Sequence, residues 1–196
     1  VVTIVVGRYR TRLRGERVRE RVAFVIAVAL GALAVTYLLK LAVTHSRPPG
    51  AETARDLAWL PPSLDPVWRS LATSDSYSLP SGHATGSAAI YGAIALVSRW
   101  GSRRLRYGGA AALVALIALS RVVIGVHYLG DVLAGLAVGG GYLAVVWFAT
   151  RGRGVKRAFS IALAVALVGM FATLPPETAA LAGATLAGRI TWTIVG

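Results

Sequence analysis

The sequence predicts an all-α protein, a multi-pass transmembrane helical bundle with five spans and a possible sixth. Two observations carry this expectation. First, 56% of the 196 residues are hydrophobic and the mean hydropathy is +0.64. The apolar residues fall in long uncharged runs, a pattern of membrane chains rather than of soluble domains. Second, the formal net charge of +13 is bunched between those runs. A surplus spread over one face would suit nucleic acid, whereas this one points to a bilayer and to no nucleic-acid partner. Cysteine is absent, so disulfides and thiolate metal sites are excluded.

A spanning helix needs about 20 mostly apolar residues. Residues 22–43 meet this, followed by 82–100, 108–125, 129–150 and 158–174. The tail 179–195 is interrupted by Arg189 and either forms a sixth span or lies on the membrane surface. The start, residues 1–6, is too short to cross and reads as the tail of a preceding helix or a frayed end. Three regions follow: a basic segment at 1–21, a membrane core at 22–150 and a C-terminal membrane segment at 151–196. Glycines inside the runs, such as Gly135 and Gly139, suit close helix contact in lipid.

The links set an orientation. Residues 8–21 hold seven arginines against two glutamates, 99–106 hold four arginines, and 151–157 hold three arginines and Lys156. The positive-inside bias puts all three on the cytoplasmic side. Alternation then puts 44–81, 126–130 and 175–178 on the outer face. The longest of these carries Trp59, Leu60, Pro61, Pro62, Leu64, Trp68 and Leu71, which suits an interfacial helix or a lip for a lipid tail.

The outer links hold all three histidines. In the first, Lys40 and Arg47 are seven apart, two helical turns on one side, before Pro48 and Pro49 stop the helix. A lysine inside a span is a functional candidate, although it can also snorkel to the interface. In the second, Tyr77-Ser78-Leu79-Pro80-Ser81-Gly82-His83 sets a turn at a helix mouth, where free backbone N–H groups suit an anion. A plain N-cap serine would look the same. In the third, Ser120-Arg121 precedes His127 and Asp131, which are four apart and become neighbours if a helix starts there. A carboxylate on one ring nitrogen leaves the other free to attack, while the plainer reading is a His–Asp pair capping a helix. Jointly these links supply three cations, two histidines, a carboxylate and backbone donors, the inventory that phosphoryl transfer requires.

At these residues the sequence resembles the type-2 phosphatidic acid phosphatase superfamily. Its three motifs are met as Lys40, six residues, Arg47-Pro48; as Pro80-Ser81-Gly82-His83; and as Ser120-Arg121, five residues, His127, three residues, Asp131. The resemblance covers roughly 22–150. It implies that Lys40, Arg47 and Arg121 bind phosphate oxygens, with Ser81 and the Gly82 backbone completing the cradle. His127 would attack phosphorus and Asp131 would orient it, while His83 would protonate the leaving oxygen and later activate water. It further implies a metal-independent, cofactor-free lipid phosphatase of the cell membrane, acting on a lipid monophosphate or a polyprenyl diphosphate at the extracytoplasmic face. Phosphotransfer to another hydroxyl is the alternative. His45 has no role in the motif and is read as an interfacial residue. Membrane members of the family carry the first motif after a third span, whereas here it follows the first.

Overall fold

The computed structural model describes residues 2–151, 154–173 and 176–195. Val1, Arg153, Leu174 and Pro175, each part of an expectation above, lie outside the described residues. Helices account for all regular structure among the described residues. They are α1 (Val2–Val43), a 3-10 turn at Pro62–Leu64, α2 (Asp65–Ala72), α3 (Gly82–Val97), α4 (Arg103–Val123), α5 (Leu129–Thr150), α6 (Val155–Thr173) and α7 (Pro176–Val195).

Among the described residues, four helical segments are long and apolar enough to cross a membrane: Gly15–Val43, Arg103–Val123, Leu129–Thr150 and Val155–Ala172. The expected five is more than these segments show. The run 82–100 yields only the 16 residues of α3, a rise of about 24 Å against a hydrocarbon core of about 30 Å. Its ends explain the difference, because Ser98 turns extended before the Trp100-Gly101 bend. The α7 segment, with Glu177 and Arg189, is also not among the four. The basic stretch at 8–21 is not a link of irregular chain, since α1 runs through it without a break.

The core lies where α1, α3, α5 and α6 meet. Phe24, Ala27, Val28 and Ala32 of α1 pack with Ala89 and Ala93 of α3, Tyr142, Leu143 and Val146 of α5, and Ala158 and Phe159 of α6. Small residues dominate, as expected where helices must approach closely without a hydrophobic drive between them. The approach of α5 to α3 is close, and it lies at the site. A Cβ added to Gly135 would stand 2.7 Å from the Ser81 carbonyl oxygen, and one added to Gly139 would collide with the Thr85 carbonyl. The two glycines, four apart on α5, thus press that helix against the first turn of α3.

Helix direction gives the bundle two unlike ends. The C-termini of α1 and α4 and the N-termini of α3 and α5 share one end, and the motif residues lie there. The stretch 99–106 joins the far ends of α3 and α4, and Arg151 follows the far end of α5.

Candidate active site

The first motif is built differently from its spacing. The α1 helix ends at Val43, ahead of the two prolines, because Thr44 takes a left-handed φ of 49° while its N–H still reaches the Lys40 carbonyl at 2.9 Å. Lys40 is therefore helical and Arg47 is not, so the expected two-turn stacking is replaced by a turn. The residue before a proline is biased to extended backbone, which carries Arg47 back over the helix end. Both cations meet at the same segment. Lys40 Nζ donates to the Tyr77 carbonyl at 2.5 Å and to Ser76 Oγ at 3.1 Å. Arg47 Nε donates to the Ser76 carbonyl at 2.5 Å.

The second motif follows directly. The Leu79–Pro80 peptide bond is cis, and Ser81 then takes the N-cap position of α3 with extended backbone. Its hydroxyl does not cap the helix: Ser81 Oγ is buried with no hydrogen-bond partner. A buried hydroxyl without a partner is costly. Here it stands beside the opening N–H groups of α3, where the helix dipole favours negative charge. The Ser81 N–H itself goes to the Asp131 carbonyl at 2.9 Å, which ties the second motif to the third.

The third motif spans the turn between α4 and α5. Arg121 is buried, with Nη2 donating to the Leu71 carbonyl at 2.5 Å and Nε left without a partner. Beyond α4 the chain reverses at Gly125, whose φ of 88° suits glycine. Tyr128 caps α5, and its N–H donates to Asp131 Oδ2 at 2.9 Å. The Asp131 carboxylate therefore accepts from the helix cap and also faces histidine. His127 Nδ1 is 3.5 Å from Asp131 Oδ2, and Arg47 Nη1 is 3.2 Å from His127 Nε2 and 2.7 Å from the Val126 carbonyl.

These residues surround one pocket of about 190 Å³, lined by Lys40, Arg47, Gly82, His83, Arg121 and His127 together with parts of the segment 70–76. Asp131 lies behind His127, 1% exposed. Burial, then the charges of Arg47 and Lys40, hold the His127 imidazole well below its ordinary pKa, with Asp131 pulling the other way. His83, outside the four candidate spans, is lowered by burial and then by Arg121, Lys40 and Arg47. Three cations around two histidines make a site in which added positive charge is disfavoured and an anion is welcome. Among the described residues there is no cluster of three His, Asp or Glu that could hold a metal ion.

A family model, the PAP2 superfamily, matches residues 21–154. The chain belongs to the PAP2 superfamily. No curated protein and no solved structure matches it. Membership makes the protein a phosphatase in general class. Of the eight site residues that the resemblance carries over, Lys40, Arg47, Gly82, His83, Arg121 and His127 line one pocket, Asp131 stands beside His127, and Ser81 is buried at the head of α3 outside the lining.

Other participants escaped the sequence. Ser76 and Tyr77 anchor both motif cations, and Leu71 of α2 anchors the third through its carbonyl. Backbone carbonyls leave no mark in residue type. His45 is nearer the site than expected: its Nδ1 is 3.6 Å from Asp131 Oδ1 and its ring meets Tyr128 edge-on at 5.8 Å. The α2 segment is present as an eight-residue helix, in which Arg69 pairs with Asp65 one turn earlier and with Asp56 of the preceding stretch, at 2.7 Å each. Trp59, Leu64, Val67 and Leu71 are exposed around it.

Proposed function

We propose that this PAP2 protein removes phosphate from a lipid phosphate or diphosphate through a phosphohistidine formed on His127, without a metal, at the outer face of the cell membrane. The observation that carries the reading is the convergence of Lys40, Arg47, Arg121, His83 and His127 on one small polar pocket, at the end of helices of membrane-crossing length. The outer face follows from the basic stretches, which belong on the cytoplasmic side.

In the first step the Nε2 lone pair of His127 bonds to phosphorus as the bond to the leaving oxygen breaks. His83, protonated, gives its proton to that oxygen. The phosphoryl oxygens rest on Lys40, Arg47, Arg121 and the N–H groups that open α3, donors fixed before charge develops. In the second step water attacks phosphorus, His83 takes the water proton, and the N–P bond breaks to restore His127. Asp131 offsets the charge that the imidazole ring carries between the two steps.

The test is phosphate release by purified protein from mixed micelles of lipid phosphates in EDTA, with vanadate as inhibitor because it resembles the transition state. His127→Ala should abolish turnover and the trapping of labelled phosphate on the chain. Turnover at the wild-type rate in that variant would rule out the nucleophile. Supplying hydroxyl acceptors separates hydrolysis from phosphotransfer, since hydrolysis gives free phosphate regardless of the acceptor.

A further inference from the structure

Ser78 sits within the second motif's approach but outside its signature, and no part of it is exposed to solvent. Its hydroxyl donates to Asp131 Oδ2 and stands 3.2 Å from His127 Nδ1. The direct separation of Nδ1 and Oδ2 is longer, at 3.5 Å, past the range of a normal N–H···O bond. The serine is thus the closer link between histidine and carboxylate.

Hydrogen-bond inventory then determines which ring nitrogen holds the proton. An ionised carboxylate only accepts, so the single Ser78 hydroxyl proton goes to Asp131, and what Ser78 offers His127 is a lone pair. Nδ1 must therefore be N–H. On the other side, Arg47 Nη1 lies 3.2 Å from Nε2, and a guanidinium has donors and no acceptor. Nε2 must therefore hold a lone pair. Two independent neighbours require the same tautomer, the one with its free nitrogen toward the pocket.

We propose that Ser78 is a positioning residue, a hydroxyl relay from Asp131 to His127 that fixes the attacking tautomer; this rests on His127 as nucleophile. The relay is held in place by the chain that holds the cations. The Ser78 N–H donates to the His45 carbonyl at 2.8 Å, and the preceding carbonyl, that of Tyr77, receives Lys40. The Asp131 end is equally fixed, because Oδ2 also accepts the Tyr128 N–H and Oδ1 faces His45. Without the hydroxyl, Nδ1 lacks a near acceptor, the ring is free to pivot, and the wrong tautomer becomes competitive.

The experiment compares wild type with Ser78→Ala and Ser78→Thr, reading kcat, KM, vanadate affinity and melting temperature. Ser78→Ala should lower kcat by roughly 10- to 100-fold, the scale seen when a partner behind an active ligand is removed. KM and vanadate affinity should change less than about threefold, since the phosphate cradle is untouched. Ser78→Thr keeps a hydroxyl and should restore part of kcat. Nitrogen NMR of labelled His127 in the wild-type protein provides a readout that needs no variant to fold, with Nδ1–H and an unprotonated Nε2 expected. Finding the opposite tautomer overturns the relay, as does wild-type kcat in Ser78→Ala. If His127→Ala stays active, the nucleophile reading fails. If that variant is dead while Ser78→Ala is fully active, only the relay fails.

Discussion

A terminal guanidinium nitrogen of Arg47 lies 3.2 Å from Nε2 of His127. The cation proposed to hold a phosphate oxygen thus also keeps a proton off the nitrogen proposed to attack. Burial adds to the same effect, and the imidazole is held well below its ordinary value.

The pH dependence follows by sign. His127 attacks only when neutral, so activity is lost as pH falls through its pKa. That limb should therefore lie below about 6.5, the ordinary histidine value. His83 must carry a proton, and in the free enzyme its pKa is lowered too, so kcat/KM should peak on the acid side of neutrality. Bound phosphate offsets Lys40, Arg47 and Arg121, which raises His83 and moves the basic limb of kcat to higher pH. Rate profiles of both constants check this. Coincident basic limbs would contradict it.

Leaving-group dependence isolates His83. Its replacement by alanine should cost about 10²- to 10⁴-fold for an alkyl phosphate, whose oxygen needs a proton. An aryl phosphate with an acidic phenol should lose far less. An equal loss on both substrates would count against His83 as the acid.

The α3–α5 contact can be tested away from the chemistry. Gly139→Val drives a side chain into the Thr85 carbonyl and should destabilise by about 1–3 kcal/mol, the cost of overpacking. It should also lower kcat by displacing the first turn of α3. Gly140→Val, where an added Cβ meets nothing within 4 Å, should leave melting temperature and kcat near wild type. Similar behaviour of the two variants would show that this contact does not set the site.

Orientation is accessible because the chain has no cysteine. A single cysteine replacing exposed Glu52 should react with a membrane-impermeant maleimide in intact cells. One replacing exposed Arg104 should react only after the membrane is opened. The reverse pattern would place the pocket on the cytoplasmic side.

The motif residues were legible as candidates because phosphate chemistry calls for cations and a nucleophile of the kinds that Lys40, Arg47 and His127 offer. The α5 start was legible from the apolar run 129–150, whereas His127 lies ahead of the N-cap Tyr128 and meets Asp131 from outside the helix. The end of α1 at Val43 coincides with the end of its apolar run, but what ends it was not legible. Pro48 and Pro49 are the obvious stops, yet the left-handed turn at Thr44 acts first, and threonine is not a residue that announces such a backbone. The short α3 was missed because its apolar run continues to Trp100 in composition, while the backbone leaves the helix at Ser98. Ser78 carries no legible role in the sequence, because a serine beside a turn has many ordinary uses.

The three phosphate-site cations share one kind of anchor. Arg121, Lys40 and Arg47 are fixed by the main-chain oxygens of Leu71, Tyr77, Ser76 and Val126. Carbonyls are common to every amino acid, so the side chains of Leu71 and Tyr77 are free to drift while the charge geometry stays put. That separates two properties that active sites usually couple. Swapping those exposed side chains should therefore alter what lies around the pocket while leaving the placement of its cations intact.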